Sequence, residues 1–312
     1  MEPEAMLDAV RDGGMLPPGT PLVAMLSGGR DSVCLLDLAQ RLLGAGAITA
    51  LHVNYGLRDD SDADEAHCAA LCERLGVRIE VERPLRPEGP GNLQAWARDT
   101  RYAAAAQLAL RTDGLIATGH TADDQVETIL YRLASSPSRR ALLGMRAHDG
   151  KLVRPLLGFT RAETTAYCEA RELAWRDDPS NDESAYARNR VRHGLAAALA
   201  EVHPAAAKNV LRTADLLRAE AEVLDALVAA ELDGADGSPR NTIELERLAE
   251  LAPALRRLVV QQLADRAAGR PVAGAARHAE EVAALRRTGR AMLDLGGGVR
   301  AIAERGTLRA ER

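Results

Sequence analysis

Aromatic residues are scarce in this 312-residue chain. They make up 3% of it, with a single phenylalanine, so any core must be built from Leu, Val and Ala. Lysine is nearly absent: of 40 basic side chains only Lys151 and Lys208 are lysines, a bias from which no function is drawn. The four cysteines, Cys34, Cys68, Cys72 and Cys168, form no C-x-x-C pair and no zinc spacing with histidine. Cys68 and Cys72 stand one helical turn apart and are expected to face a core. No apolar run reaches the ~18 residues of a membrane span and no leader-like segment is present, so a cytoplasmic protein without a membrane partner is expected.

What is present is enough apolar material, 46% of residues, for a sizeable core, and a length that favours two domains. The net charge of −5 is unevenly spread. Residues 1–138 carry 12 basic and 20 acidic side chains, residues 139–238 carry 14 and 16, and residues 239–312 carry 14 and 9. A basic C-terminal end suits contact with a polyanion; a solvated, arginine-rich helical surface would give the same count.

The most informative stretch is Ser27-Gly28-Gly29-Arg30-Asp31-Ser32. It follows the apolar run 21–26 and precedes the helix-like run 33–39. Strand, glycine turn and helix start make an anion site, because unpaired backbone N–H groups and the helix dipole face the turn. Asp31 beside a bound phosphate would be repelled unless a cation intervened, which makes it a candidate Mg²⁺ ligand. The pattern fits neither G-x-x-x-x-G-K-[ST] nor G-x-G-x-x-G.

Around this turn the chain alternates. A short helix is expected over 2–12, strands over 21–26, 47–53, 77–82 and 114–118, and helices up to residue 75, over 92–110 and over 122–133. That alternation predicts a doubly wound parallel sheet with ligands at the C-terminal ends of its strands. Further on, a strand at 151–157, a helix at 161–171, a polar loop at 175–181 and helices over 186–199, 204–231, 243–267 and 274–287 are expected. A linker at 234–239 and a hairpin around Gly296-Gly297-Gly298 complete the pattern.

Four more clusters carry chemistry. Gly119-His120 lead into Asp123, Asp124 and Glu127, three carboxylates in one helical turn that can hold Mg²⁺ or receive an ammonium group; Asp123 alone could be a dipole-stabilising cap. Arg98 and Arg101, three apart on one helix, could clamp phosphates or pair with Asp99 or Glu73. His52 and Asn54, ending the second strand, face a nucleotide base or ribose in such folds, though His52 could be a satisfied core histidine. Arg188, Arg190 and Arg192, after the polar loop, suit an RNA backbone or a solvated helix equally.

Taken in order, these runs resemble the tRNA(Ile)-lysidine synthetases, members of the N-type ATP pyrophosphatase (PP-loop) superfamily. The match lies in S-G-G-x-D-S, H-V-N-x-G-L-R, N-x-Q-x-x-A-R-x-x-R-Y, A-T-G-H-x-x-D-D-Q-x-E-T, R-P-L-L from Arg154, and D-P-S-N-x-D-x-x-Y-x-R-N-R-x-R ending at Arg192. It covers about residues 20–205. Two positions depart: Tyr55 stands where the family usually has His, and residues 135–140 replace an Arg-Gly-rich loop.

The resemblance implies a Rossmann-like domain of adenine nucleotide alpha-hydrolase type over 1–205 and a mainly helical, tRNA-contacting domain over 206–312. It implies an ATP-dependent ligase joining free L-lysine to the wobble cytidine of isoleucine tRNA with a CAU anticodon. ATP would lie on Ser27, Gly28, Gly29, Arg30, Asp31, Ser32, His52, Asn54, Gly119 and His120, with Mg²⁺ on Asp31 and Asp123. Asp124 and Glu127 would hold the lysine amine, Arg98 and Arg101 would steady phosphate charge, and Arg188, Arg190 and Arg192 would meet tRNA. A homodimer is compatible with the pattern. A PP-loop thiolating enzyme and a non-enzymatic RNA-binding module are the alternatives.

Overall fold

The computed structural model describes residues 2–57, 59–87, 92–136, 139–176, 187–233 and 241–312. The expected linker at 234–239, most of the polar loop from Asp177, and Arg58 lie outside the described residues, as does the Arg188 side chain. The chain forms two compact units, Met1–Asp215 and Leu216–Arg312.

The first unit runs α1 (Pro3–Asp12), β1 (Leu22–Met25), α2 (Arg30–Leu43), β2 (Ile48–Val53), α3 (Ser61–Leu75), β3 (Arg78–Glu82), α4 (Leu93–Thr112), β4 (Leu115–Ala117), α5 (Ala122–Ser135), β5 (His148–Asp149), β6 (Leu152–Val153), α6 (Arg161–Ala170), α7 (Ala187–Arg190), α8 (Ala197–Val202) and the start of α9 (Ala206–Leu232). Its six-stranded sheet has the order β3-β2-β1-β4-β6-β5. All pairings are parallel except β5 with β6. The order reverses at β1, between β2 and β4, and a crevice opens at that point beyond the strand ends in such sheets. The turn at 27–32 leaves β1 there.

Burial explains the strand composition. Leu22, Val23, Ala24 and Met25 are all buried, because helices cover both faces of β1. On one face α2, with Val33 to Ala39 buried, packs with α1 and α6; on the other α4 contributes Ala105, Leu108 and Ala109. The expected strand at 151–157 is cut to two residues. Pro155 has no N–H to give a ladder, so pairing ends at Arg154, whose N–H still reaches the Ala147 carbonyl in register with β5. All four cysteines are buried and free, as the helical spacing of Cys68 and Cys72 predicts.

The second unit takes the rest of α9, then β7 (Thr242–Glu244), α10 (Leu245–Glu250), α11 (Pro253–Ala268), α12 (Ala279–Ala283), β8 (Arg290–Gly296), β9 (Val299–Glu304) and β10 (Thr307–Glu311). The expected hairpin is present as β8–β9, but it belongs to a four-stranded antiparallel sheet, order β7-β10-β9-β8. This unit is therefore mainly helical by length, with an antiparallel sheet beside the helices. Val259, Val260 and Leu263 of α11 pack on Val299, Ala301 and Ala303 of β9 and on Leu308.

Candidate active site

The turn after β1 is braced by its own side chains. Ser32 Oγ donates to the Gly29 carbonyl at 2.7 Å and receives the Ser27 N–H at 3.2 Å, while Ser27 Oγ lies 3.1 Å from Ser32 Oγ. The serine hydroxyls thus hold the loop's shape, and the first-turn amides of α2 and its dipole are what face an anion. Gly28 needs a φ of +86°, which a side chain would strain, and a Cβ there would meet Cys68 Sγ at 3.2 Å. Arg176 backs the loop: its N–H reaches the Gly28 carbonyl at 3.0 Å and its Nε reaches Asp64 at 2.5 Å.

Asp31 opens α2. Its Oδ1 accepts from Thr164 Oγ at 2.5 Å and from Arg30 Nε at 3.2 Å, leaving Oδ2 without a donor among the described residues. Gly119, expected in the nucleotide set, packs against this turn so closely that a Cβ would lie 2.8 Å from the Asp31 carbonyl oxygen. Its lack of a side chain serves the contact between the β4–α5 connection and α2. His120 Nδ1 pairs with Thr118 Oγ at 2.8 Å.

The three carboxylates converge on one residue that the sequence reading did not single out. Arg161, first residue of α6, donates its backbone N–H to Asp123 Oδ2 at 2.8 Å, one guanidinium nitrogen to Glu127 Oε1 at 2.7 Å and the other to Asp124 Oδ1 at 2.7 Å. The pair is sheltered: Glu127 is 4% exposed, Asp124 13% and Arg161 17%. Burial presses the Arg161 guanidinium down, but the Glu127 bond and the fields of Asp124, Glu127 and Asp123 outweigh it, so its pKa stands above the usual arginine value. Asp124 Oδ2 caps its own helix, accepting from Thr121 N–H at 2.8 Å and Thr121 Oγ at 3.1 Å. Arg192 Nε lies 3.9 Å from Glu127 Oε1, where a π-helical stretch at 191–196 follows α7.

The second-strand residues are engaged elsewhere. His52 is buried with Nδ1 2.9 Å from the Leu26 carbonyl; a carbonyl only accepts, so Nδ1 carries the proton. Asn54 gives its amide hydrogens to Asp62 at 3.0 Å and Glu65 at 2.9 Å and accepts the Gly56 N–H at 3.0 Å. Tyr55 donates to the Ala97 carbonyl at 2.7 Å and meets Trp96 edge-on, so it ties the end of β2 to α4. Arg98 and Arg101 flank the Tyr102 ring at 4.7 and 5.9 Å, and Arg101 Nε is buried without a hydrogen-bond partner among the described residues. Burial first, then Arg98 and Arg154, lowers the pKa of Arg132, which places these guanidinium groups in one electropositive region. Arg190 is exposed. Among the described residues no three His, Cys, Asp or Glu side chains form a metal cage, so a metal at Asp31 would need phosphate oxygens and water to complete its shell.

A sequence signal for Arg161 did exist. Thr160-Arg161-Ala162-Glu163 is a capping box, with Glu163 Oε2 accepting the Thr160 N–H at 2.8 Å, which fixes Arg161 at the first helical position. It marked a helix start and gave no hint of what that start touches.

A family model for the PP-loop domain matches residues 14–199. The chain is 40% identical over 267 residues to a tRNA(Ile)-lysidine synthase of Thermus thermophilus, covering 83% of this chain and 51% of that protein. With the Pseudomonas fluorescens tRNA(Ile)-lysidine synthase it shares 38% over 244 residues, 74% of this chain and 55% of the relative. It therefore spans about half the length of these relatives, whereas it covers 84% of the Salinispora arenicola protein of the same name at 37% identity. Among solved structures a U34-tRNA thiolase from Methanococcus maripaludis, with its [4Fe-4S] cluster, has the same fold with a TM-score of 0.58 at 18% identity, covering 69% of this chain and 78% of that one. The braced S-G-G-R-D-S turn, the acidic α5 start and these matches together place the chain in the PP-loop family of tRNA(Ile)-lysidine synthases.

Proposed function

We propose that this protein joins free L-lysine to C2 of the wobble cytidine in isoleucine tRNA with a CAU anticodon, using ATP. The reading rests on one arrangement: two sheltered carboxylates, Asp124 and Glu127, both close on the Arg161 guanidinium, a helical turn away from the residue that binds Asp31. The relatives' name supports the same reaction.

ATP phosphates would lie on the 27–32 turn. Asp31 Oδ2 fits a Mg²⁺ ligand and Asp123 a second one; Mg²⁺ there would offset phosphate charge. The cytidine 2-oxygen attacks the α-phosphorus and pyrophosphate leaves, which makes C2 electrophilic. The lysine ε-amine then attacks C2 and AMP leaves. Asp124 and Glu127 hold the ammonium, and Glu127 accepts the proton it must lose to become a nucleophile. Arg98 and Arg101 steady the phosphate charge, while Arg188, Arg190 and Arg192, with the basic tail over 239–312, meet tRNA in a cytoplasmic enzyme of two domains, 1–205 and 206–312. The thiolating alternative needs accessible thiolates. Burial pushes the Cys68 thiol up to about 12 and the Cys72 thiol up to about 11, and both are enclosed.

The test is incubation with radiolabelled lysine, ATP, Mg²⁺ and unmodified transcripts. Label is expected in the CAU isoleucine tRNA and not in methionine tRNA. An unlabelled isoleucine tRNA refutes the assignment.

A further inference from the structure

We propose that Arg161 is a resident cation of the amine pocket: it occupies the place of the incoming ammonium and keeps the carboxylates from activating water until lysine displaces it. The inference builds on the lysine-ligating reading above. It comes from counting carboxylate oxygens. Asp124 Oδ2 is engaged by Thr121 N–H and Oγ, and Asp124 Oδ1 by Arg161. Glu127 Oε1 is shared between Arg161 and the more distant Arg192. An ammonium bridging Asp124 Oδ1 and Glu127 Oε1 would take the two oxygens that the Arg161 fork holds at 2.7 Å each.

The occupant's chemistry gives this a purpose. A guanidinium is not a nucleophile and has no proton to lose near neutral pH. A carboxylate left open beside an activated C2 would do damage. Water would add to C2, the C2–O2 bond would break, AMP would leave carrying the O2 oxygen, and Glu127 would take the proton. Cytidine would be regenerated and one ATP lost to AMP and pyrophosphate. With both carboxylates tied to Arg161, only a ligand able to replace a cation gains access, and lysine brings its own. Arg161 is thus a positioning residue whose release is coupled to amine entry. The same helical turn carries Thr164, whose hydroxyl touches both the Arg161 carbonyl at 3.0 Å and Asp31 Oδ1 at 2.5 Å, so the guard sits on the element that also holds the phosphate-side aspartate.

The experiment compares the full-length wild type with Arg161→Gln and Arg161→Lys, using CAU isoleucine tRNA. Two quantities are read: AMP released without lysine per adenylated tRNA formed, and the KM for L-lysine. For Arg161→Gln the first should rise and the second should fall, each by about tenfold, the equivalent of one charge-assisted contact. Arg161→Lys, which keeps a cation, should stay near wild type in lysine-free AMP release, and methylguanidinium added to Arg161→Gln should suppress it. A raised lysine KM with unchanged lysine-free AMP release would overturn the proposal, because Arg161 would then be holding the carboxylates ready for lysine. If Arg161→Gln does not fold, methylguanidinium on the wild type decides: no inhibition in competition with lysine would overturn the proposal, and competitive inhibition would support it. A wild type that labels no tRNA with lysine defeats the proposed function instead, so the two failures are separate.

Discussion

At the scale of single residues, Thr164 decides how Asp31 presents itself. The side chain is fully buried, and its one hydroxyl hydrogen lies between Asp31 Oδ1 and the Arg161 carbonyl. Thr164→Val keeps the shape and removes the donor, so Asp31 Oδ1 loses a partner while Oδ2 stays where it is. Orienting partners of this kind change metal affinity by about 10–100-fold. The Mg²⁺ concentration giving half-maximal adenylation should rise by that range, with the lysine KM at saturating Mg²⁺ unchanged; an unshifted Mg²⁺ curve would mean that Thr164 does not orient a metal ligand. Neither Thr164 nor Arg161 could be read from sequence as part of the site. Asp31, Asp123, Asp124 and Glu127 declare themselves because phosphate turns and acidic helix starts are local patterns. Their partners lie far along the chain on α6, and only folding brings them together. The same limit applies to Asn54, whose position at a strand end was legible while its engagement by Asp62 and Glu65 was not.

At the scale of elements, the alternation of apolar runs with helix starts located the five parallel strands of the first sheet, because each is a short apolar or alternating run bounded by glycine or polar turns, and missed β5, which is two exposed residues. The small strands β7 and β10 escaped, since three to five residues with mixed polarity carry no period of their own; their pairing with β9 and with each other makes them strands. How elements meet is set by close approaches such as the one at Gly119, where the β4–α5 connection presses on the first turn of α2. The three atoms nearest a Cβ built there are all backbone: the Asp31 carbonyl oxygen at 2.8 Å, its carbon at 2.9 Å and the Ser32 nitrogen at 3.1 Å. No side-chain rotation relieves that, so Gly119→Ala should destabilise the first unit by about 1–3 kcal/mol, the usual cost of overpacking. It should also shift Asp31 and slow adenylation. Gly158→Ala, with open space around its Cβ, is the control and should change stability by less than about 0.5 kcal/mol. Thermal melts of the two variants side by side check the claim, and equal melting temperatures would refute it.

At the scale of the whole molecule, the acidic half and the basic end answer different demands. Under the proposed function the first unit gathers carboxylates for a cationic amine, and such carboxylates repel RNA; a basic surface elsewhere can supply the attraction. The excess of basic residues over 239–312 fits that division, and so would a merely solvated surface. Salt dependence separates the two. Each arginine that neutralises a phosphate releases counterions and contributes about −0.7 to −0.9 to the slope of log affinity against log salt. Arg257 on α11 and Arg300 on β9 are exposed. If the second unit meets tRNA through them, the double variant Arg257→Ala/Arg300→Ala should flatten that slope by about 1.4 to 1.8. The lysine KM at saturating tRNA should stay at the wild-type value, because the proposed amine pocket is built from residues of the first unit. A filter-binding series from low to high salt gives the slope directly. An unchanged slope would leave these arginines as solvated surface and move the polyanion contact to Arg190, Arg192 and their neighbours, beside the acidic pocket they would then also have to screen.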